Sequence, residues 1–251
     1  MAMNQAPLKG KVILVTGAAK RVGSMIARHL HRQGATVVLH YRAAQAEAEM
    51  LVEAFNATRS GSALALQADL LDVALSPTLI ANVLARFGRL DGLINNASSF
   101  FPTAIGDIDE AAWDDLVGSN FKAPLFLSQA AAPALQASGG VIVNITDVHA
   151  ERPLRGYPLY SAAKGALLTL TRALAVELAP EVRVNAVAPG PILWPDDEQF
   201  DDHERVDIVR QTLLKREGSP EDIASAVAYL LTASYVTGQV INVDGGRTAY
   251  L

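Results

Sequence analysis

The chain has 251 residues, half of them hydrophobic, with no cysteine and a formal net charge of −5. These figures exclude disulfides, thiolate nucleophiles and thiolate metal sites, and they speak against nucleic acid as a partner, since that more often meets a basic face. The length suits one large α/β domain or two small ones.

The opening MAMNQAPLKGKV lacks the apolar core of a signal peptide. No apolar run reaches the roughly 18 residues of a membrane span, so a soluble cytoplasmic protein is expected. Residues 11–16 (KVILVT) form a short, continuous, β-branched run and predict a buried strand. A helical pattern follows over 22–33 and stops at Gly34. Further on, a strand at 36–41, a helix at 43–57, a strand at 63–68, a helix at 76–87 and a strand at 91–95 are expected. The second half continues with helices at 109–119 and 122–137, a strand at 141–146 and a long helix at 158–179. A strand at 182–188, helices at 204–215 and 220–231 and a strand at 239–243 complete the series. Unbroken alternation predicts βαβ units and a parallel sheet covered on both faces. Seven such strands favour one doubly wound domain. Residues 195–205 (PDDEQFDDHER) are acidic without an apolar face and predict an exposed, mobile excursion.

In such a sheet, ligands bind beyond the carboxyl ends of the strands. The turn after the first strand, TGAAKRVG, has the small residues of a phosphate cradle. Gly17 permits a tight turn, Ala18 and Ala19 keep the backbone accessible, and Gly23 lets the helix approach the sheet. Amides at the helix start attract an anion. The signal is only partial, because Arg21 stands where a middle glycine is usual, and a glycine-rich turn is often merely a turn. The second strand ends in LHYR, with no acid to hold a ribose 2′-hydroxyl. Lys20, Arg21 and Arg42, with no carboxylate, suit a 2′-phosphate instead, so NADPH is favoured over NADH.

Tyr160 and Lys164 are four apart at the start of a helix and share a face. A nearby ammonium is expected to lower the phenol's pKa and make it a general acid for reduction. His149 is expected to be a loop residue pointing elsewhere. His29, His31, His40 and His203 lack ligand spacing, and the acids at 196–202 lack a calcium-loop pattern, so no metal site is expected.

With TGAAKRVG, ADL at 68–70, NNA at 95–97, Asn120, Tyr160-x-x-x-Lys164, PG at 189–190, VTG and VDGG, the chain resembles the short-chain dehydrogenase/reductase family over nearly its whole length. The resemblance implies one Rossmann-type domain with an NADP-binding first half, a substrate loop near 191–217 and assembly as a homotetramer. Asn120 would hold a water linking Lys164 to a proton relay, and Lys164 and Tyr160 would reach the nicotinamide ribose. Asp69 and Leu70 would sit beside the adenine, and Asn95 and Ala97 would line the cofactor site. Gly17, Val22, His40, Tyr41, Thr146, Pro189 and Gly190 would also contact the cofactor.

Most of that family has a serine thirteen residues before the tyrosine, where this chain has Asp147. That departure, Arg21, LHYR and NNASSFFPT resemble the pteridine reductases and the related dihydromonapterin reductases. The resemblance implies that Arg21 bridges pyrophosphate and substrate, that Phe100 stacks a pterin or folate ring against the nicotinamide, and that Ser98, Asp147, Tyr160, Leu193 and Trp194 touch the substrate. Arg247 is a candidate for reaching a neighbouring subunit's site. Two other functions remain open on the sequence: a reductase of ketoacyl or small ketone substrates, and a non-catalytic NADP-sensing protein.

Overall fold

The computed structural model describes residues 6–195 and 199–249. In chain order it contains β1 (Val12–Val15), α1 (Arg21–Arg32), β2 (Thr36–Tyr41), α2 (Gln45–Thr58), β3 (Ala63–Gln67), α3 (Ser76–Phe87) and β4 (Gly92–Asn95). Then follow α4 (Glu110–Val117), α5 (Ala123–Ser138), β5 (Val141–Ile145), α6 (Pro158–Leu178), β6 (Arg183–Pro189), α7 (Asp202–Arg210), α8 (Pro220–Thr232) and β7 (Val240–Val243). The strands form one sheet in the order β3-β2-β1-β4-β5-β6-β7, and every neighbouring pair is parallel.

The continuous apolar strands are explained by burial on both faces. On β1, Ile13 and Val15 face a core built with Ile26 and Leu30 of α1 and Ile223 and Val227 of α8. Val12 and Leu14 face the opposite core, with Leu79 and Val83 of α3 and Leu127 and Leu135 of α5. Each side chain of this kind contributes about 1.5–3 kcal/mol through burial, so neither layer of helices is dispensable. The chain reverses its direction of travel across the sheet between β1 and β4, which opens a crevice at their carboxyl ends. No helix among the described residues is long and apolar enough to cross a membrane.

Two expectations need correction. The helix placed at 204–215 runs from Asp202 to Arg210, because Asp201 and Glu204 form a reciprocal capping box that fixes its start. The second half of the acidic stretch is therefore an ordered helix entry, while Asp196, Asp197 and Glu198 lie outside the described residues. The helices placed at 109–119 and 122–137 are joined by a π-turn, Gly118–Lys122, with no break. Such turns bulge a helix where a side chain must be re-aimed, and this one contains Asn120.

Candidate active site

The crevice is a cavity of about 690 Å³ running from the first turn to Tyr160 and on to the segment after β6. Its near end is the turn between β1 and α1. Gly17 has φ +60°, and a Cβ there would lie 3.0 Å from the Ala97 Cα. A Cβ on Gly23 would lie 2.2 Å from the Gly17 carbonyl oxygen. Neither position admits a side chain without moving backbone. Helix α1 has no side-chain cap and no acid in its first turn. Its amide end and positive dipole thus face the cavity, which fits a phosphate group.

Arg21 takes φ +53°, a left-handed conformation at the glycine-like position. Its Nη2 donates to the carbonyls of Leu193 (3.3 Å) and Trp194 (2.9 Å), so it spans from the phosphate turn to the loop after β6. His40 braces the turn from below. Its Nδ1 accepts from the Gly17 N–H at 3.3 Å, and its Nε2 lies 3.0 Å from the Ala68 carbonyl, which assigns the proton to Nε2. Burial holds its pKa below the ordinary histidine value and keeps the ring neutral.

The NNA segment divides differently from expectation. Asn95 does not line the cavity. It is buried and donates to Asn144 (2.8 Å) and Ser128 (3.2 Å), tying β4 to β5 and α5. Asn96, which the motif reading passed over, lines the cavity and donates to the carbonyls of Thr16 (2.8 Å) and Gly17 (3.3 Å). Adjacent residues at a strand end point to opposite sides, and the bare carbonyls of the turn needed a donor. Tyr41 is likewise off the cavity, packed against Ala19 and Ala48.

Arg42 reaches the cavity wall, and Asp69 caps the following turn by accepting from the Leu71 N–H. The expectation of cations without a carboxylate fails at Lys20. The first turn of α2 brings Glu47 to 2.7 Å from its ammonium, and that contact holds the Glu47 carboxyl below its ordinary pKa. Val22, Leu70, Ala97 and Ser98 line the cavity, as do Thr146, Pro189 and Gly190.

At the far end, β5 delivers Asp147 and α6 delivers Tyr160 and Lys164, one turn apart. The Tyr160 hydroxyl donates to Asp147 Oδ2 at 2.8 Å. Lys164 is buried, donates to the Ile145 carbonyl at 2.9 Å, and lies 5.7 Å from the centre of the Tyr160 ring. Burial, followed by the Asp147 charge and its hydrogen bond, pushes Tyr160 well above the ordinary phenol value. That reverses the expected lowering. The carboxylate contacts the hydroxyl directly, whereas the ammonium spends its bond on a backbone carbonyl. Lys164 itself is pulled down to about 8 by burial, against the pull of Asp147.

Asn120 is fully buried and does not line the cavity. Its Nδ2 donates to the carbonyls of Ser99 and Leu116, and its Oδ1 has no partner among the described residues. Phe100 lines the cavity but is also held in an aromatic group. It stacks on Tyr157 at 4.6 Å and meets Tyr160 edge-on at 4.7 Å, with Phe200 lying 6.2 Å away. Gln199 donates to the Phe100 carbonyl and accepts from the Tyr157 hydroxyl. Tyr157, Gln199 and Phe200 were not singled out in the sequence, and only the fold brings them to Phe100. Leu193 and Trp194 line the cavity, with Trp194 Nε1 anchored on Glu217. His149, expected to point elsewhere, and Arg247, a candidate for a neighbouring subunit's site, both stand on the wall of the chain's own cavity.

Comparison with known proteins finds relatives along nearly the whole chain. Residues 17–248 match the family model described as enoyl-(acyl carrier protein) reductase. Pteridine reductase 1 of Leishmania tarentolae is 41% identical, over 94% of this chain and 95% of its own. A 3-oxoacyl-[acyl-carrier-protein] reductase of Staphylococcus aureus is 35% identical, over 94% and 97%. Human dehydrogenase/reductase SDR family member 4 is 35% identical, over 98% and 90%.

Proposed function

This chain belongs to the short-chain dehydrogenase/reductase family, and on that footing we propose that it is an NADPH-dependent reductase of a C=N bond in a pteridine. The observation that carries this reading is Asp147. A carboxylate on the cavity wall, bonded to the Tyr160 hydroxyl, can accept N–H bonds from the amine edge of a flat heterocycle, which a serine cannot do as a charged acceptor. Phe100 offers an aromatic face beside it. The 41% identical relative named pteridine reductase 1 supports the same choice. In this reading the enzyme is cytoplasmic and assembles as a homotetramer.

NADPH would lie along the cavity with its pyrophosphate on the first turn and its 2′-phosphate near Arg42, and it supplies the hydride. Asp147 fixes the ring, and Phe100 and the loop after β6 exclude water. Tyr160 passes its proton to the ring nitrogen that gains electron density. Burial keeps that proton on the phenol until the acceptor arrives, and Lys164 stabilises the phenolate left behind. Arg21 contacts both the phosphate side and the substrate side, Ser98 borders the ring, and Asn120 supports the water route by which Lys164 and Tyr160 regain a proton.

The test is steady-state kinetics with dihydrobiopterin, dihydromonapterin and dihydrofolate against acetoacetyl thioesters. Turnover of the thioester alone would replace this reading with its rival, a 3-oxoacyl reductase, which the 35% identical staphylococcal relative favours.

Cofactor selectivity yields a sharper result. Arg42→Ala weakens NADPH binding about tenfold or more, by loss of a charged contact, and leaves NADH nearly unchanged. Lys20→Ala costs less than about threefold, because Glu47 already neutralises that ammonium. Fluorescence titration measures both, and equal losses for the two cofactors would remove Arg42 from the 2′-phosphate.

The rate should also follow Lys164. With its pKa held at about 8 in the free enzyme, the ammonium is present below that pH and lost above it. The value of kcat/KM for NADPH, which reports free-enzyme groups, therefore falls by about tenfold per pH unit above roughly pH 8. A profile flat to pH 10 would show that the lysine charge is not required.

A further inference from the structure

A second hollow, of about 410 Å³, adjoins the main cavity. Val148, His149 and Arg247 line both spaces and so form their shared wall. Arg152, Pro153 and Leu154, on the segment after β5, build one side, and Gln211 and Thr248 build the other. Arg152, Arg247 and His149 thus border one concavity, and no Asp or Glu is among the described residues lining it.

Arg247 is the central feature. Among the described residues, its Nη2 makes one long 3.4 Å contact, with Gln211 Oε1. Burial pulls its pKa down, and the charges of Asp147 and Asp244, both outside the hollow, offset that only in part. A half-buried guanidinium of this kind gains by meeting an anion. His149 is oriented to help. Its Nδ1 faces the Arg152 carbonyl at 2.9 Å, which fixes the ring beside the two arginines. Its backbone N–H donates to Asp147 Oδ1 at 2.8 Å, so the hollow begins two residues from the carboxylate at the reaction centre. Pro153 and Leu154 give the same space an apolar flank, suited to a linker between ring and charge.

We propose that this hollow binds the anionic tail of the substrate, a carboxylate or a phosphate ester, while the ring sits beside Asp147 and Tyr160. The inference rests on the pteridine reading and narrows it to pteridines that carry a negatively charged side chain. A neutral hydroxyalkyl tail leaves the cationic wall unused.

The test compares kcat/KM for three dihydropteridines with one ring: a neutral hydroxyalkyl side chain, a glutamyl tail as in dihydrofolate, and a phosphate ester. At least one anionic substrate is expected to exceed the neutral one, and which of the two leads identifies the tail. Arg247→Met and Arg152→Met should each lower the anionic-to-neutral ratio about tenfold, the worth of one charged hydrogen bond. Raised ionic strength should lower the ratio in the unaltered enzyme, a readout that does not depend on either variant folding. Reduction of all three pteridines without preference, or a ratio unmoved by salt and by both substitutions, overturns the hollow's role and leaves the pteridine reading standing. Reduction of none of them overturns both.

Discussion

Tyr160→Phe is expected to lower kcat about 10²–10⁴-fold, the usual share of a positioned general acid, while NADPH titration changes by less than about twofold. The substitution removes one oxygen and keeps the ring. The edge-on contact with Phe100 and the packing against Leu116 and Tyr157 survive, so the fold should too. What disappears is the proton that burial and Asp147 hold on the phenol. Asp147 loses one hydrogen-bond donor but keeps the His149 N–H. A variant that retains more than about a tenth of the rate would place the proton donor elsewhere, with Asp147 the nearest alternative. If the unaltered protein reduces nothing, the NADP-sensing reading takes over.

The sequence revealed most where a single physical rule acts on neighbouring residues. Apolar runs of four to six residues had to be strands buried on both faces, and β1 has cores on either side of it. The spacing of Tyr160 and Lys164 sufficed to put them on one turn of α6. What remained hidden depends on contacts between distant segments. The pairing of Lys20 with Glu47 arises because α2 starts over the first turn, 27 positions downstream, and no charge pattern encodes that approach. The choice between Asn95 and Asn96 turns on which face of β4 each leaves, and a motif written as NNA does not distinguish them. The direction of the Tyr160 shift needed two distances, Tyr160 to Asp147 and Lys164 to Ile145. From spacing alone, only the ammonium was visible. Nothing in VDGG says where the side chain of Arg247 goes, and the turn after β7 folds back and sets it on this chain's own cavity.

Asp147→Ser should cost about a hundredfold in kcat/KM for a dihydropterin, because the charged acceptor for the ring's N–H edge is lost. The same variant should leave reduction of an acetoacetyl thioester unchanged or raise it, since a neutral hydroxyl suits a carbonyl oxygen and the like-charge barrier to a developing alkoxide is gone. Serine can also replace the carboxylate in capping the Val148–Ala150 turn, where Asp147 Oδ1 accepts from the His149 N–H, so the loop geometry should persist. Asp147→Asn separates charge from hydrogen bonding. It retains an acceptor for Tyr160 and an amide of the same size, yet it cannot balance a protonated or N–H-rich ring. If the asparagine variant is nearly as impaired as the serine one on pteridines, the charge is the selecting feature. If both variants reduce dihydropterins normally, Asp147 is only a turn cap that happens to meet Tyr160, and the case for a pteridine over a ketone loses its foundation.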